Sequence, residues 1–118
     1  MICGSVDSEG IPYVSKTVGT REWKAVVDTG FNGDLELPLD LFTECHPRYF
    51  GRALSALAGN QTIEEDHYIV EFPFDGSVVR PLATFVQADG VLLGTNMLRD
   101  YCLSIDFPSS VVTVERAG

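Results

Sequence analysis

Asp28, Thr29 and Gly30 are the residues of this 118-residue chain whose types and spacing most directly suggest chemistry. The apolar Val26 and Val27 lead into the aspartate, so a half-buried strand is expected to carry a carboxylate into the molecule, where such a group can act as general acid or base. A buried carboxylate without a partner is strongly destabilising, so Asp28 must be paired, neutralised or exposed. Glycine after the motif permits a tight turn with backbone N–H groups near the carboxylate. The simplest alternative is an Asx-type turn at a strand end.

The composition narrows the class of protein. With 45% hydrophobic and 21% charged residues the chain is typical of a globular protein. Eight Lys and Arg stand against 17 Asp and Glu, a net charge of -9, which argues against nucleic acid or an anionic membrane as partner. No signal peptide and no apolar run of about 18 residues is evident, so we expect a soluble protein of a reducing compartment, the cytoplasm.

Strand-like segments separated by turn residues make up most of the chain. The length predicts one domain, residues 1–118, and the spacing of the strands is typical of an all-β barrel or sandwich. A hairpin is expected around Gly59-Asn60, and a closing hairpin is formed by "LSIDF" and "VVTVE". Short helices are predicted in "PLDLFTEC" and "TNMLRDYC". Trp23 is assigned to the core.

The segments "VVDTGF" and "VLLG", the second followed by "TNMLRDYC", together resemble the retropepsin-like aspartic proteases, in particular the small prokaryotic members with a DTGF motif. The likeness extends from Pro12 to Glu115. It implies an all-β, single-domain acid-protease β-barrel with one or two short helices and a flap hairpin, and an aspartic endopeptidase activity on extended peptides.

The resemblance also implies roles for individual residues. Asp28 would be the catalytic residue, supported by Thr29 and Gly30. The Thr29 hydroxyl would brace the loop against the same loop of a symmetry-related copy. The segment beneath the site would be Leu92, Leu93 and Gly94. Residues expected to contact substrate lie after the motif and in the flap: Phe31, Asn32, Ala58, Gly59 and Asn60.

Two carboxylates are needed for this chemistry, and the sequence contains one Asp-Thr-Gly. A pair held about 3 Å apart shares one proton, so that one member activates a water and the other polarises the peptide carbonyl. The simplest solution is a homodimer that pairs Asp28 of each chain across a two-fold axis. No metal and no organic cofactor is implied.

Two other interpretations remain open. The chain could be a non-catalytic dimerising or peptide-binding module that keeps the fold, or a monomer in which Asp28 is only a turn residue. Phe31-Asn32-Gly33 replaces the acidic residues usual in the viral enzymes, and Thr95 stands where an arginine is common. Several other polar residues are assigned structural or surface places: His46, His67, Glu64, Glu65, Asp66 and Asp106. Cys3, Cys45 and Cys102 are assigned as small apolar side chains.

Overall fold

The computed structural model describes residues 1–56 and 58–118, with the side chains of residues 56 and 58 also outside the description. It is mainly β-structure, as the strand pattern predicts. The first six strands are β1 Ile2–Val6, β2 Pro12–Val18, β3 Arg21–Val27, β4 Leu35–Pro38, β5 Arg48–Ala56 and β6 Thr62–Ile69. The remaining strands are β7 Phe72–Phe74, β8 Ser77–Val79, β9 Leu82–Val86, β10 Val91–Leu93, β11 Tyr101–Asp106 and β12 Val111–Arg116.

Ten strands form one sheet in the order β11-β12-β1-β2-β3-β10-β4-β9-β6-β5, while β7 and β8 form a separate hairpin. The order ends at β11 on one side and at β5 on the other, and no pairing between these two is found among the described residues. Most neighbours are antiparallel, but β10 runs parallel to β3, and β4 runs parallel to β9. Both parallel pairs adjoin the segment that carries Asp28.

Period-two burial explains why these segments become strands. In β3 the side chains of Trp23, Ala25 and Val27 are buried at alternate positions, and the exposed fraction of Trp23 is 4%. Leu35 and Leu37 of β4 are buried at alternate positions as well. These residues belong to one hydrophobic core, and the assignment of Trp23 to the core is confirmed.

The helical segments are shorter than the sequence pattern suggests. Both are single 3-10 turns, Leu39–Leu41 and Thr95–Leu98. The second cannot continue to Cys102, because Tyr101 already pairs with Arg116 at the start of β11. A third turn, Ala58–Asn60, lies between β5 and β6. In the part of the chain that is described, no helix has the length and apolarity required to cross a membrane.

Of the three cysteines assigned as small apolar side chains, one lies in the core and two do not. Cys45 is fully buried, and burial raises the pKa of its thiol to about 11, so that it remains a neutral, apolar side chain. Cys3 and Cys102 are exposed instead. Alternation along β1 and β11 points their side chains away from the core.

Candidate active site

The loop that bears Asp28 begins and ends beside the same residue of a neighbouring strand. Leu93 of β10 is the register partner of Val27, the last residue of β3, and also of Leu35, the first residue of β4. Residues 28–34 therefore leave the sheet on one side of β10 and return on the other. This explains why the two predicted motifs occur together, since β10 separates the two ends of the loop.

Backbone hydrogen bonds fasten this loop to the segment after β10. The Asp28 amide donates to the Leu93 carbonyl at 3.0 Å. In the opposite direction, the Thr95 amide donates to the Phe31 carbonyl at 2.8 Å, and the Asn96 amide donates to the Gly33 carbonyl at 3.1 Å. The loop is thus held at three points along its length.

Gly94 is required by the closeness of this contact. A Cβ atom at this position would lie 2.0 Å from the Gly33 carbonyl oxygen and 2.8 Å from a carbon of the Phe31 ring. Contacts this short do not occur in folded proteins, so no larger residue fits unless the loop moves. Leu93 and Gly94, two of the three residues predicted to underlie the site, lie directly against the loop.

The Asp28 side chain is half-buried and takes part in a local turn. Its Oδ1 accepts a hydrogen bond from the Gly30 amide at 2.9 Å, which is the Asx-type geometry considered as an alternative reading of the motif. Within the described residues, Oδ2 has no hydrogen-bond partner. The turn therefore orients the carboxylate without occupying both of its oxygens. Thr29 is exposed beside it.

A groove of about 390 Å³ opens next to this loop. Its floor is formed by the loop and β4, and its walls come from the β5–β6 hairpin, from β9 and from Asn96. Asp28 itself precedes the first lining residue, Gly30, by two positions. The lining residues are Gly30, Phe31, Asn32, Gly33, Asp34, Leu35, Glu36, Leu54, Ser55, Glu65, His67, Leu82, Thr84 and Asn96.

The β5–β6 hairpin is the segment for which a flap is predicted, and we refer to it as the flap hairpin. The turn at Gly59-Asn60 is present, with φ angles of 75° and 63°. The strand arms Leu54, Ser55, Glu65 and His67, rather than the turn, line the groove. Gly59 and Asn60 are exposed beyond it, and the side chain of Ala58 lies outside the described residues.

The groove contains two polar residues, Asp34 and His67, to which the sequence pattern assigns no catalytic or binding role. No local motif marks Asp34, although its carboxylate accepts hydrogen bonds from the Leu82 amide and from the Asn96 side chain. His67, assigned a structural or surface place, is half-buried in the groove wall, with Nδ1 3.0 Å from the Glu65 carbonyl oxygen. Asp34 lies six residues after Asp28, and only the return of the chain past β10 shows that the two belong to one loop.

The groove is acidic as well as apolar. Burial raises the pKa of the Glu36 carboxyl, and the neighbouring carboxylates of Glu65 and Asp28 raise it further. Across residues 1–56 and 58–118, no group of three or more His, Cys, Asp or Glu side chains is arranged to hold a metal ion.

Solved structures of other proteins share this architecture. A retropepsin-like aspartic protease from Rickettsia conorii superposes with a TM-score of 0.64 and 19% sequence identity, over 98% of this chain and 89% of that protein. The chain has a retropepsin-like fold. A foamy viral protease-reverse transcriptase, solved with an RNA/DNA hybrid, matches at a TM-score of 0.59 and 20% identity, over 80% of this chain and 13% of the viral one. No protein-family model matches the sequence, and no curated protein sequence is significantly similar to it.

Within the retropepsin-like fold, the motifs predicted from the sequence lie next to one another. The Asp28 loop, the β10 segment beneath it and the hairpin over the groove form one continuous region. The expected all-β, retropepsin-like fold is therefore confirmed.

Proposed function

We propose that the chain is an aspartic endopeptidase that acts as a homodimer, with Asp28 of each protomer forming the catalytic pair. The observation that carries the proposal is the fastening of the Asp28 loop against β10, beside a groove that lies under the flap hairpin. A carboxylate held in a braced turn beside a groove has a placement that suits acid-base hydrolysis. We further propose that residues 1–118 form a single protease domain located in the cytoplasm.

The reaction follows from two carboxylates in a shared site. One Asp28 is ionised and takes a proton from a water, which attacks the carbonyl carbon of the peptide. The other, protonated, donates a hydrogen bond to the carbonyl oxygen, and a proton then passes to the leaving nitrogen as the C–N bond breaks. The Gly30 amide holds each carboxylate in orientation. The exposed Thr29 hydroxyl is available to the opposite loop across the two-fold axis.

The second carboxylate is assigned to another copy because of the surroundings of Asp28 within one chain. Among the described residues, the Asp28 carboxylate shares no hydrogen bond with another acid. A two-fold axis beside the exposed Thr29 would bring the two Asp28 loops together, and each protomer would make the same contacts with its partner.

The terminal strands do not supply open edges for this dimer. β1 is hydrogen-bonded to β12 on one side and to β2 on the other, and β12 lies between β11 and β1. A four-stranded interface built from the chain termini of two protomers would require these pairs to separate. We therefore propose that the protomers meet through the Asp28 loops and the neighbouring surface.

The groove suits an extended peptide. Leu54 and Leu82 provide apolar surface for substrate side chains. The flap hairpin supplies backbone groups for main-chain hydrogen bonds, the usual way in which extended peptides are recognised. Phe31 and Asn32 adjoin Asp28 and would contact the residues that flank the scissile bond.

Cleavage of a peptide library, analysed by mass spectrometry from acidic to neutral pH, tests the proposal. Asp28→Asn is compared with Asp40→Asn, a matched change at an exposed aspartate outside the groove. Wild type and Asp40→Asn should yield the same products at defined sites, whereas Asp28→Asn should yield none and still sediment as a dimer. Cleavage by Asp28→Asn at the wild-type rate would refute the assignment.

The alternative is a peptide-binding module without catalysis. It is favoured by the segment Phe31-Asn32-Gly33, which replaces the acidic residues usual in the viral enzymes. The Phe31 ring packs against Gly33 and Gly94. Peptide binding by a folded dimer that produces no cleavage at any pH would establish this alternative. A protein that stays monomeric at high concentration with peptide present would exclude the homodimeric enzyme.

A further inference from the structure

We propose that Asp34 is a positioning residue that aligns the Asp28 loop with both walls of the groove, an inference that rests on the proposed function. Its Oδ2 accepts a hydrogen bond from the Leu82 amide at 3.0 Å. Its Oδ1 accepts one from Nδ2 of Asn96 at 2.6 Å, and its backbone carbonyl accepts one from the Gly94 amide at 2.9 Å. One residue thereby joins the loop to two other segments of the chain, the start of β9 and residues 94–96.

The bond to Leu82 distinguishes Asp34 from the other attachments of the loop. The backbone bonds made by Asp28, Phe31 and Gly33 all lead to residues 93–96, on the β10 side. Leu82 instead begins β9, which pairs with β6 of the flap hairpin through Tyr68↔Ala83 and Ile69↔Leu82. The Asp34 carboxylate therefore connects the loop that bears Asp28 with the base of the flap.

The chemistry of the carboxylate suits this bridge. Asp34 is half-buried and forms no ion pair among the described residues, so its charge is balanced by N–H donors. Hydrogen bonds to an ionised acceptor are shorter and stronger than those between neutral groups, which makes the bridge stiff. Asn96 is held in turn by Arg99, whose Nη1 donates to its Oδ1 at 3.2 Å.

Loss of this bridge should impair turnover more than substrate affinity. A displacement of about 1 Å at a reacting group lowers a rate by up to about 100-fold. Because Leu35, Leu54 and Leu82 still line the groove, peptide binding should persist. For Asp34→Ala we expect kcat to fall by about 10- to 100-fold, while KM changes much less.

Three variants separate positioning from general stability. Asp34→Asn keeps an oxygen for the Leu82 amide, and its own amide can donate to Asn96 once that side chain rotates, so most of kcat should return. Asn96→Ala removes one of the two N–H donors to the Asp34 carboxylate and should give a smaller loss. Asp75→Ala is the matched control: its carboxylate bonds Tyr101 Oη at 3.3 Å and the N-terminal amine at 3.5 Å, and none of these groups lines the groove.

The kinetic experiment measures kcat, KM and thermal unfolding for all four variants, with wild type and Asp28→Asn as references. Asp75→Ala should lower the melting temperature and leave kcat unchanged. The positioning role is refuted if Asp34→Ala keeps the kcat of wild type, or if Asp75→Ala loses as much kcat as Asp34→Ala does.

A second measurement is independent of cleavage. The carboxyl carbon of Asp28 and the amide of Gly30 are observed by NMR during a pH titration of wild type, Asp34→Ala and Asp34→Asn. Asp34→Ala should shift both resonances, and Asp34→Asn should restore them. Unchanged resonances would overturn the inference. If wild type cleaves no peptide, the proposed function fails, and this titration still decides the role of Asp34.

Discussion

Replacement of Gly94 by alanine tests the packing on which the candidate site depends. The new Cβ would lie 2.0 Å from the Gly33 carbonyl oxygen and 2.8 Å from the Phe31 ring. Overpacking of this kind destabilises a fold by about 1–3 kcal/mol. Moving the Gly33 carbonyl away would also break its bond from the Asn96 amide, a loss of about 1 kcal/mol.

Together these effects predict a loss of about 2–4 kcal/mol of unfolding free energy, out of about 5–15 kcal/mol for a typical domain. For a chain of this size, each kcal/mol corresponds to about 4 °C in the melting temperature. Urea unfolding and thermal denaturation would measure both quantities. Because the displaced loop carries Asp28, peptidase activity should fall even at temperatures where the variant remains folded.

Gly10→Ala is the matched control. Gly10 has a φ of 82° and no atom within 4 Å of its added Cβ, so the variant experiences backbone strain without a clash. That strain is worth about 1–2 kcal/mol, and activity should not change. If Gly94→Ala loses no more stability than Gly10→Ala, the argument from close packing is wrong.

Three further changes probe the core, the electrostatics and the flap. Leu93→Ala removes a fully buried side chain beneath the loop and should lower the unfolding free energy by about 2–5 kcal/mol in urea titrations; a loss below the value for a surface substitution would contradict its core position. Burial, followed by Glu65 and Asp28, raises the pKa of Glu36, so the folded state binds that proton more tightly than the unfolded chain does. The resulting stabilisation is complete at acidic pH, below the unfolded pKa, and is lost as pH rises through the folded pKa. Glu36→Gln should therefore raise the melting temperature above that of wild type at neutral pH but not at acidic pH. Gly59→Val should strain the exposed turn, because a φ of 75° disfavours a β-branched residue. If the turn gates the groove, turnover should fall more than stability, and equal losses of the two would speak against gating.

Local signals were sufficient to predict the strands and the principal motifs. Three features appear where the pattern indicates: the alternation in β3, the turn at Gly59-Asn60 and the closing hairpin of β11 and β12. These features depend on side-chain period and backbone φ, which neighbouring residues determine. Helix ends were predicted less well, because the pairing of Tyr101 with Arg116 terminates the turn after Gly94.

The groove could not be derived from the sequence in the same way. Asp34, Glu36 and His67 are ordinary polar residues by their local context, and they acquire a place in the site because β4, β6 and β9 become neighbours in the sheet. From local sequence alone, Asp28 is predicted to follow a buried strand and to precede a tight turn. The residues that surround its carboxylate depend on the tertiary fold, because β10 enters between β3 and β4 through contacts that are distant along the chain.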